Sequence, residues 1–327
     1  MYPFTQISSE SIAQIGERRL LEKIRLWLGK TSPETPYGMG DDAAVLPFEV
    51  DQYNLITTDS LAYKYHFDDM ISPQQAGAKL IKRNLSDIAA MGGTPSTAVI
   101  NLFLPTNLSL DWLEAFYFGI RDESANSNIK IVGGDLCESE NFLGAQLTLL
   151  GNAHRPMTRE GAKNGDIIYV SGNLGGSRCG KHVDFIPRLA EGQWLAEQEY
   201  VHSMIDITDG LLCDLPNLIP PVCVAGLNIK SLPISNDAYV ISKEDSKSAT
   251  YHALNDGEDY ELLFTLSNKC DPELFQKKWN DQFEISLTRI GKMIEDLDQN
   301  NHPQRIIDLD NGHELDKTGG YEHLRRP

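Results

Sequence analysis

Between Met39 and Ser60 the chain runs Gly40-Asp41-Asp42-Ala43-Ala44-Val45-Leu46 and then Leu55-Ile56-Thr57-Thr58-Asp59-Ser60. Three carboxylates and the two adjacent threonine hydroxyls sit next to a glycine and short apolar runs. Leu55-Ile56 reads as a buried strand, which predicts that Thr57, Thr58 and Asp59 emerge at its end. Gly40 permits a sharp backbone turn where the first acidic pair begins. No Lys or Arg occurs from Met39 to Leu61 to neutralise these groups. Hard divalent cations prefer such oxygen donors, and Mg²⁺ commonly joins one or two carboxylates to substrate phosphates. An acidic turn followed by a capped strand uses the same residues for structure alone.

The rest of the chain repeats the pattern. Ser72-Pro73 predicts a capped helix start, and the helix runs through Leu80, Ile81, Leu85 and Ile88 to Gly92-Gly93. Asn84 and Asp87 share one of its faces. Strand Ile129 to Val132 is read as ending at the turn Gly133-Gly134-Asp135, where open α/β sheets place ligands. Gly172-Asn173-Leu174-Gly175-Gly176-Ser177 offers a weak candidate phosphate nest, without the Gly-Lys-Ser/Thr ending of a P-loop. Asp206-Ile207-Thr208-Asp209-Gly210 marks a strand-to-helix junction, which an N-cap would also explain. Gly257-Glu258-Asp259-Tyr260-Glu261 precedes a buried strand. An amphipathic helix is predicted over Ser9 to Leu28, and Asn300 to Gly312 reads as a polar loop.

The 327 residues suit two domains better than one, with a boundary near Asn152 from the count of strands and helices. Twenty-nine Lys and Arg stand against 47 Asp and Glu, a net charge of −18. That balance argues against sequence-independent nucleic-acid binding, and a phosphate ligand would have to bring metal ions with it. With no apolar run of spanning length and no leader-like start, a cytoplasmic location away from membranes is expected. Five scattered cysteines without metal-type spacing read as reduced thiols.

One carboxylate beside a glycine is unremarkable, but recurrence at separate strand and helix junctions is better explained by a site where several Mg²⁺ ions bridge polyphosphate. The segments Gly-Met-Gly-Asp-Asp-Ala-Ala (38–44), Thr-Thr-Asp-Ser-Leu (57–61) with His66, and Asn-Leu-Ser-Asp-Ile-Ala-Ala-Met-Gly (84–92) carry a resemblance. So do Val-Gly-Gly-Asp (132–135), Ile-Asp-Ile-Thr-Asp-Gly-Leu (205–211), Gly-Glu-Asp-Tyr-Glu-Leu (257–262) and Gly-Tyr-Glu-His (320–323). In this order they resemble the thiamine-monophosphate kinases of the aminoimidazole ribonucleotide synthetase superfamily. Leu136-Cys137, the short 180–187 stretch and Lys82-Arg83 depart from the family's pattern.

The resemblance implies a mixed α/β fold of two domains, 1–152 and 153–327. It also implies a homodimer in which the N-terminal sheets join into a barrel. It implies ATP-dependent phosphorylation of thiamine monophosphate to thiamine diphosphate by direct in-line transfer, with no general base because the acceptor oxygen is already anionic. The implied Mg²⁺ ligands are Asp42, Thr57, Thr58, Asp59, Asp87, Asp135, Asp206 and Asp209. Gly134, Asp135, Arg159 and Thr208 are implied ATP contacts, and His66, Glu258 and Tyr321 implied contacts to thiamine monophosphate. Another ATP-using enzyme of the superfamily and a non-catalytic nucleotide-binding homologue are the alternatives.

Overall fold

The computed structural model describes residues 36, 44–49, 52–105, 108–140, 142–296, 304–315 and 319. The predicted helix over 9–28, Asp42 and Tyr321 lie outside the described residues. Two sheets organise the rest. The first is five-stranded in the order β1-β2-β5-β3-β4, built from β1 (Ala44–Glu49), β2 (Gln52–Ala62), β3 (Thr94–Pro105), β4 (Lys130–Ser139) and β5 (Gly144–Ala153). All its pairings are antiparallel except β3 with β4.

The second sheet is six-stranded in the order β11-β8-β10-β6-β9-β7. Its strands are β6 (Ile167–Ser171), β7 (Val201–Asp206), β8 (Cys223–Leu227), β9 (Leu262–Leu266), β10 (Leu287–Glu295) and β11 (Ile306–Asp308). Only β11 with β8 is parallel. The sheets are therefore mixed and mostly antiparallel, so the strand-end rule for open parallel sheets does not locate this site.

Helix α1 (Pro73–Ala90) covers the first sheet. Ser72 caps it, accepting from the Gln75 N–H, while the Gln75 side chain returns to the Ser72 N–H, and Pro73 occupies the first turn. Leu80, Ile81, Leu85 and Ile88 recur at helical spacing and are buried against Leu55, Leu147 and Leu149. Each such burial contributes roughly 1.5–3 kcal/mol. Helix α2 (Leu110–Asn126), capped by Ser109, packs beside it.

That packing is backbone on backbone. A Cβ at Gly77 would stand 2.0 Å from the Phe116 carbonyl oxygen, and one at Gly119 would stand 1.9 Å from that of Gln74. In the second half, the four-residue α3 (Lys181–Asp184) precedes α4 (Leu189–Glu197), which crosses the other flank of α1. A Cβ at Gly192 would stand 2.1 Å from the Ala89 carbonyl oxygen. Short helices α5 (Leu211–Asp214), α6 (Asn236–Ile241) and α7 (Ala249–Asn255) follow, then α8 (Pro272–Gln282). No helix among the described residues is long and apolar enough to cross a membrane.

Several expectations are corrected. Thr57, Thr58 and Asp59 lie in the middle of the 11-residue β2, because the strand goes on pairing with β5 through Ala62. Gly133-Gly134-Asp135 is not a turn but the centre of edge strand β4. Gly134 sits at φ 152°, and a Cβ there would fall 1.7 Å from the Ile100 carbonyl oxygen, so glycine serves close approach to β3 rather than reversal. Within the polar 300–312 stretch, Ile306–Asp308 adds a strand to the second sheet.

Candidate active site

Nine of the sequence-predicted residues line a cavity of about 580 Å³ between the two halves. From the first half, Thr57, Thr58 and Asp59 of β2, His66 from the following turn, and Arg83 and Asp87 of α1 line it. Arg159, Thr208, Asp209 and Glu258 close it from the second half. Lys247, Tyr251 and His252 form a further wall, with the Lys247 ammonium 4.4 Å from the Tyr251 ring centroid.

Alternation along β2 sorts its side chains. Thr57 faces α1 and donates its hydroxyl to the Asp87 carboxylate. Asp59 faces the same helix, its Oδ1 3.0 Å from the Arg83 guanidinium. The Thr58 side chain turns to the opposite face, donating to the Leu147 carbonyl at 2.9 Å and lying 3.1 Å from the Thr148 hydroxyl. His66 Nδ1 accepts from the Ala62 N–H at 3.0 Å, which orients the ring at the cavity wall.

Asp206 does not line the cavity. It is buried behind it, where its carboxylate accepts from the Ser86 hydroxyl. Gly134 and Asp135 are not brought to the cavity by their own chain. Strands β5 and β3 separate β4 from β2, a span of roughly 14 Å at ordinary strand spacing.

The junction after β7 is held from within. No Thr or Asp caps α5; Gly210 occupies the N-cap at φ 109°, where a Cβ would stand 2.8 Å from the Asn255 carbonyl oxygen. Asp214 instead turns back and accepts the N–H groups of Thr208, Asp209 and Gly210 at 2.9, 3.0 and 3.2 Å. Burial, reinforced by Asp209 and Asp206, raises the Asp214 carboxyl well above its usual range. The neighbouring loop is tied to this junction by the Glu258 N–H to Thr208 O at 2.7 Å and the Tyr260 N–H to Ile207 O at 2.8 Å. Glu258 and Tyr260 both adopt positive φ, 61° and 51°. Such non-glycine conformations persist where surrounding bonds over-determine them, often at functional sites.

Residues beyond the motifs complete the site. The wholly buried Lys79 reaches Glu258 at 2.7 Å and the His66 carbonyl at 3.1 Å. The Tyr260 hydroxyl donates to Glu258 at 3.0 Å, and its ring stacks on Phe185 at 3.7 Å between centroids. Lys79, Arg83 and Asp87 are spaced by four, a helical period that sequence reading can detect once Asp87 is singled out. Asp214 has no comparable local signal.

The glycine loop after β6 is already filled. The Gly175 N–H donates to both Asp259 carboxylate oxygens at 3.0 and 3.1 Å, and the Gly176 N–H to Asp256 at 2.9 Å. Its acceptors are the chain's own carboxyl groups, so the candidate phosphate nest is not one.

Among the described residues no three His, Cys, Asp or Glu side chains cluster closely enough to hold a metal by themselves. The donor set nevertheless fits Mg²⁺, which needs one or two protein carboxylates and takes its other oxygens from phosphate and water. Asp59, Asp87 and Asp209 present such oxygens around one cavity.

Two mixed sheets, with an acidic cavity between them, define an architecture of the AIR synthase type. The family model for AIR synthase related protein, N-terminal domain, matches residues 40–152. The thiamine-monophosphate kinase of Rhodopirellula baltica is 34% identical over 271 residues, covering 80% of this chain and 84% of that protein. That of Aquifex aeolicus is 30% identical over 308 residues, covering 87% and 93%. The structure of AaThiL complexed with AMPPCP and TMP superposes with a TM-score of 0.80 at 28% identity, covering 98% of this chain and 99% of that one. The chain belongs to the thiamine-monophosphate kinase family and is an enzyme of that class.

Proposed function

We propose that the chain transfers the γ-phosphoryl group of ATP to the phosphate of thiamine monophosphate, giving ADP and thiamine diphosphate. The observation that carries this is the convergence of Asp59, Asp87, Arg159, Asp209, His66 and Glu258 on one cavity. The AaThiL structure with AMPPCP and TMP bound supports the choice of ligands.

The acceptor oxygen is anionic at neutral pH, so no residue need remove a proton. Catalysis consists of aligning acceptor and donor for in-line displacement while suppressing their mutual repulsion. Bound Mg²⁺ supplies charge screening between the two polyanions. Asp59, Asp87 and Asp209, with Thr57, are the residues that would hold it, Asp206 backing them from the interior; Asp42 and Thr58 are assigned here from their motifs alone. Arg159 can fork onto donor phosphate oxygens, and the Thr208 segment meets the donor on the same wall. His66 and Glu258, with Tyr321 from its motif, receive the acceptor.

Gly134 and Asp135 are read as donor-side residues that join the site through assembly. Strand β4 leaves Val132 and Leu136 exposed on a sheet edge, a surface that invites pairing. Dimerisation there, with the first sheets closing into a barrel, fits this reading. So do a nucleotide-binding domain up to residue 152, a second domain beyond it, and a cytoplasmic location.

The test is incubation with Mg²⁺-ATP and thiamine monophosphate. Thiamine diphosphate and ADP should appear in equal amounts, and chelation should abolish both. Failure to form thiamine diphosphate under these conditions would overturn the reading.

A further inference from the structure

Lys79, Arg83 and Asp87 stand along one face of α1, and Arg83 and Asp87 line the cavity. Lys79 is committed to Glu258 and the His66 carbonyl, and Asp87 receives the Thr57 hydroxyl. Arg83 lies between them. Its Nη2 is 3.0 Å from Asp59 Oδ1, and its Nη1 donates to the Ser60 carbonyl at 2.7 Å. The guanidinium plane is thus pinned by β2 before any ligand arrives. Its Nε–H is enclosed and has no hydrogen-bond partner among the described residues. A guanidinium carries five N–H donors, so further Nη hydrogens remain on a group that lines the cavity.

We propose that Arg83 is an anion ligand of this cavity and binds the phosphate monoester of the acceptor. The inference rests on the functional reading above and adds to it a residue that recognises phosphate rather than the thiamine rings. Position selects the acceptor. One turn along the helix, Lys79 fixes Glu258 on the acceptor side; one turn the other way, Asp87 faces the metal-holding side. Arg83 therefore stands where the two phosphates must meet. Its planar fork matches two oxygens of a monoester dianion, which an ammonium cannot do.

The experiment is calorimetric titration of the full chain, without nucleotide, with thiamine monophosphate and separately with unphosphorylated thiamine. Arg83→Gln should weaken thiamine monophosphate about tenfold or more while leaving thiamine within about twofold, as expected for loss of a charge-assisted phosphate contact. Arg83→Lys, which keeps the charge and loses the fork, should fall between. Unchanged thiamine monophosphate affinity in Arg83→Gln, or an equal loss for both ligands in a folded variant, would overturn the proposal. If Arg83→Gln does not fold, Arg83→Lys decides, and wild-type affinity for thiamine monophosphate in that variant overturns it. A wild-type chain that makes no thiamine diphosphate overturns the functional reading itself. A wild type that makes it, beside an unaffected Arg83→Gln, overturns only the role of Arg83.

Discussion

The Lys79 ammonium lies 2.7 Å from Glu258 Oε1, its own side chain fully buried while Glu258 stays 34% exposed. Burial depresses the Lys79 amine even against the attraction of Glu258. Burial alone would raise the Glu258 carboxyl, but Lys79 and then Arg83 outweigh it and hold it below its usual range. The pair fixes a carboxylate at the cavity wall at positive φ.

Glu258→Gln should therefore raise the KM for thiamine monophosphate several-fold and leave that for ATP nearly flat. Lys79→Met should reproduce the effect, because the carboxylate loses its anchor. Breaking the pair from the Glu258 side should also cost about 2 kcal/mol of stability, the buried-pair figure reduced for water access. Steady-state kinetics with each substrate varied, and denaturant unfolding, check both.

Asp59→Asn and Asp87→Asn retain shape and remove charge. Each should lower kcat by roughly a hundredfold, about 3 kcal/mol of lost electrostatic stabilisation. Turnover within about threefold of wild type, with the fold intact, would reduce them to the packing roles seen in their contacts with Arg83 and Thr57.

Asp259 sets a pH dependence of stability. Burial pushes its carboxyl up to about 7, although Lys181 and the Gly175 N–H favour the charged form. The folded chain thus keeps a proton that the unfolded chain releases near 3.8. Stability should fall as pH rises from roughly 4 through 7, by at most ~4 kcal/mol from this group. Asp259→Asn keeps an acceptor for Gly175 and cannot ionise, so its Tm should decline less between pH 5 and pH 8 than that of the wild type.

Strand β4 gives an assembly test. Val132→Glu with Leu136→Glu places charge on the exposed edge and should convert a dimer to a monomer in light scattering. Activity should fall with it if Gly134 and Asp135 act only after assembly. A variant that stays dimeric would move the interface elsewhere.

The sequence made local structure readable and long-range structure much less so. Helix α1 was legible because Ser72, Pro73 and its apolar spacing lie within one stretch. Thr57, Asp59, Asp87, Asp209 and Glu258 were legible as cavity residues because each sits in a short acidic motif. The sequence places Thr57–Asp59 at the exit of β2, whereas they lie within it, since polar residues inside a strand mimic its end and pairing with β5 is not local. The same failing turned Gly134 into a reversal. Asp214 is invisible because its three partners lie upstream in a fold-dependent arc, while Lys79 shows only its helical spacing to Asp87 and not its complete burial, which is exceptional for a lysine.

The glycine contacts on both flanks of α1 decide how the molecule can move. Gly77 and Gly119 lock it to α2, and Gly192 locks it to α4, backbone against backbone, leaving no side-chain layer to slip. Close backbone contact of this kind resists rolling and sliding of α1 against α2 and α4. Arg83 and Asp87, which line the cavity, project from a helix held by backbone contact on both sides.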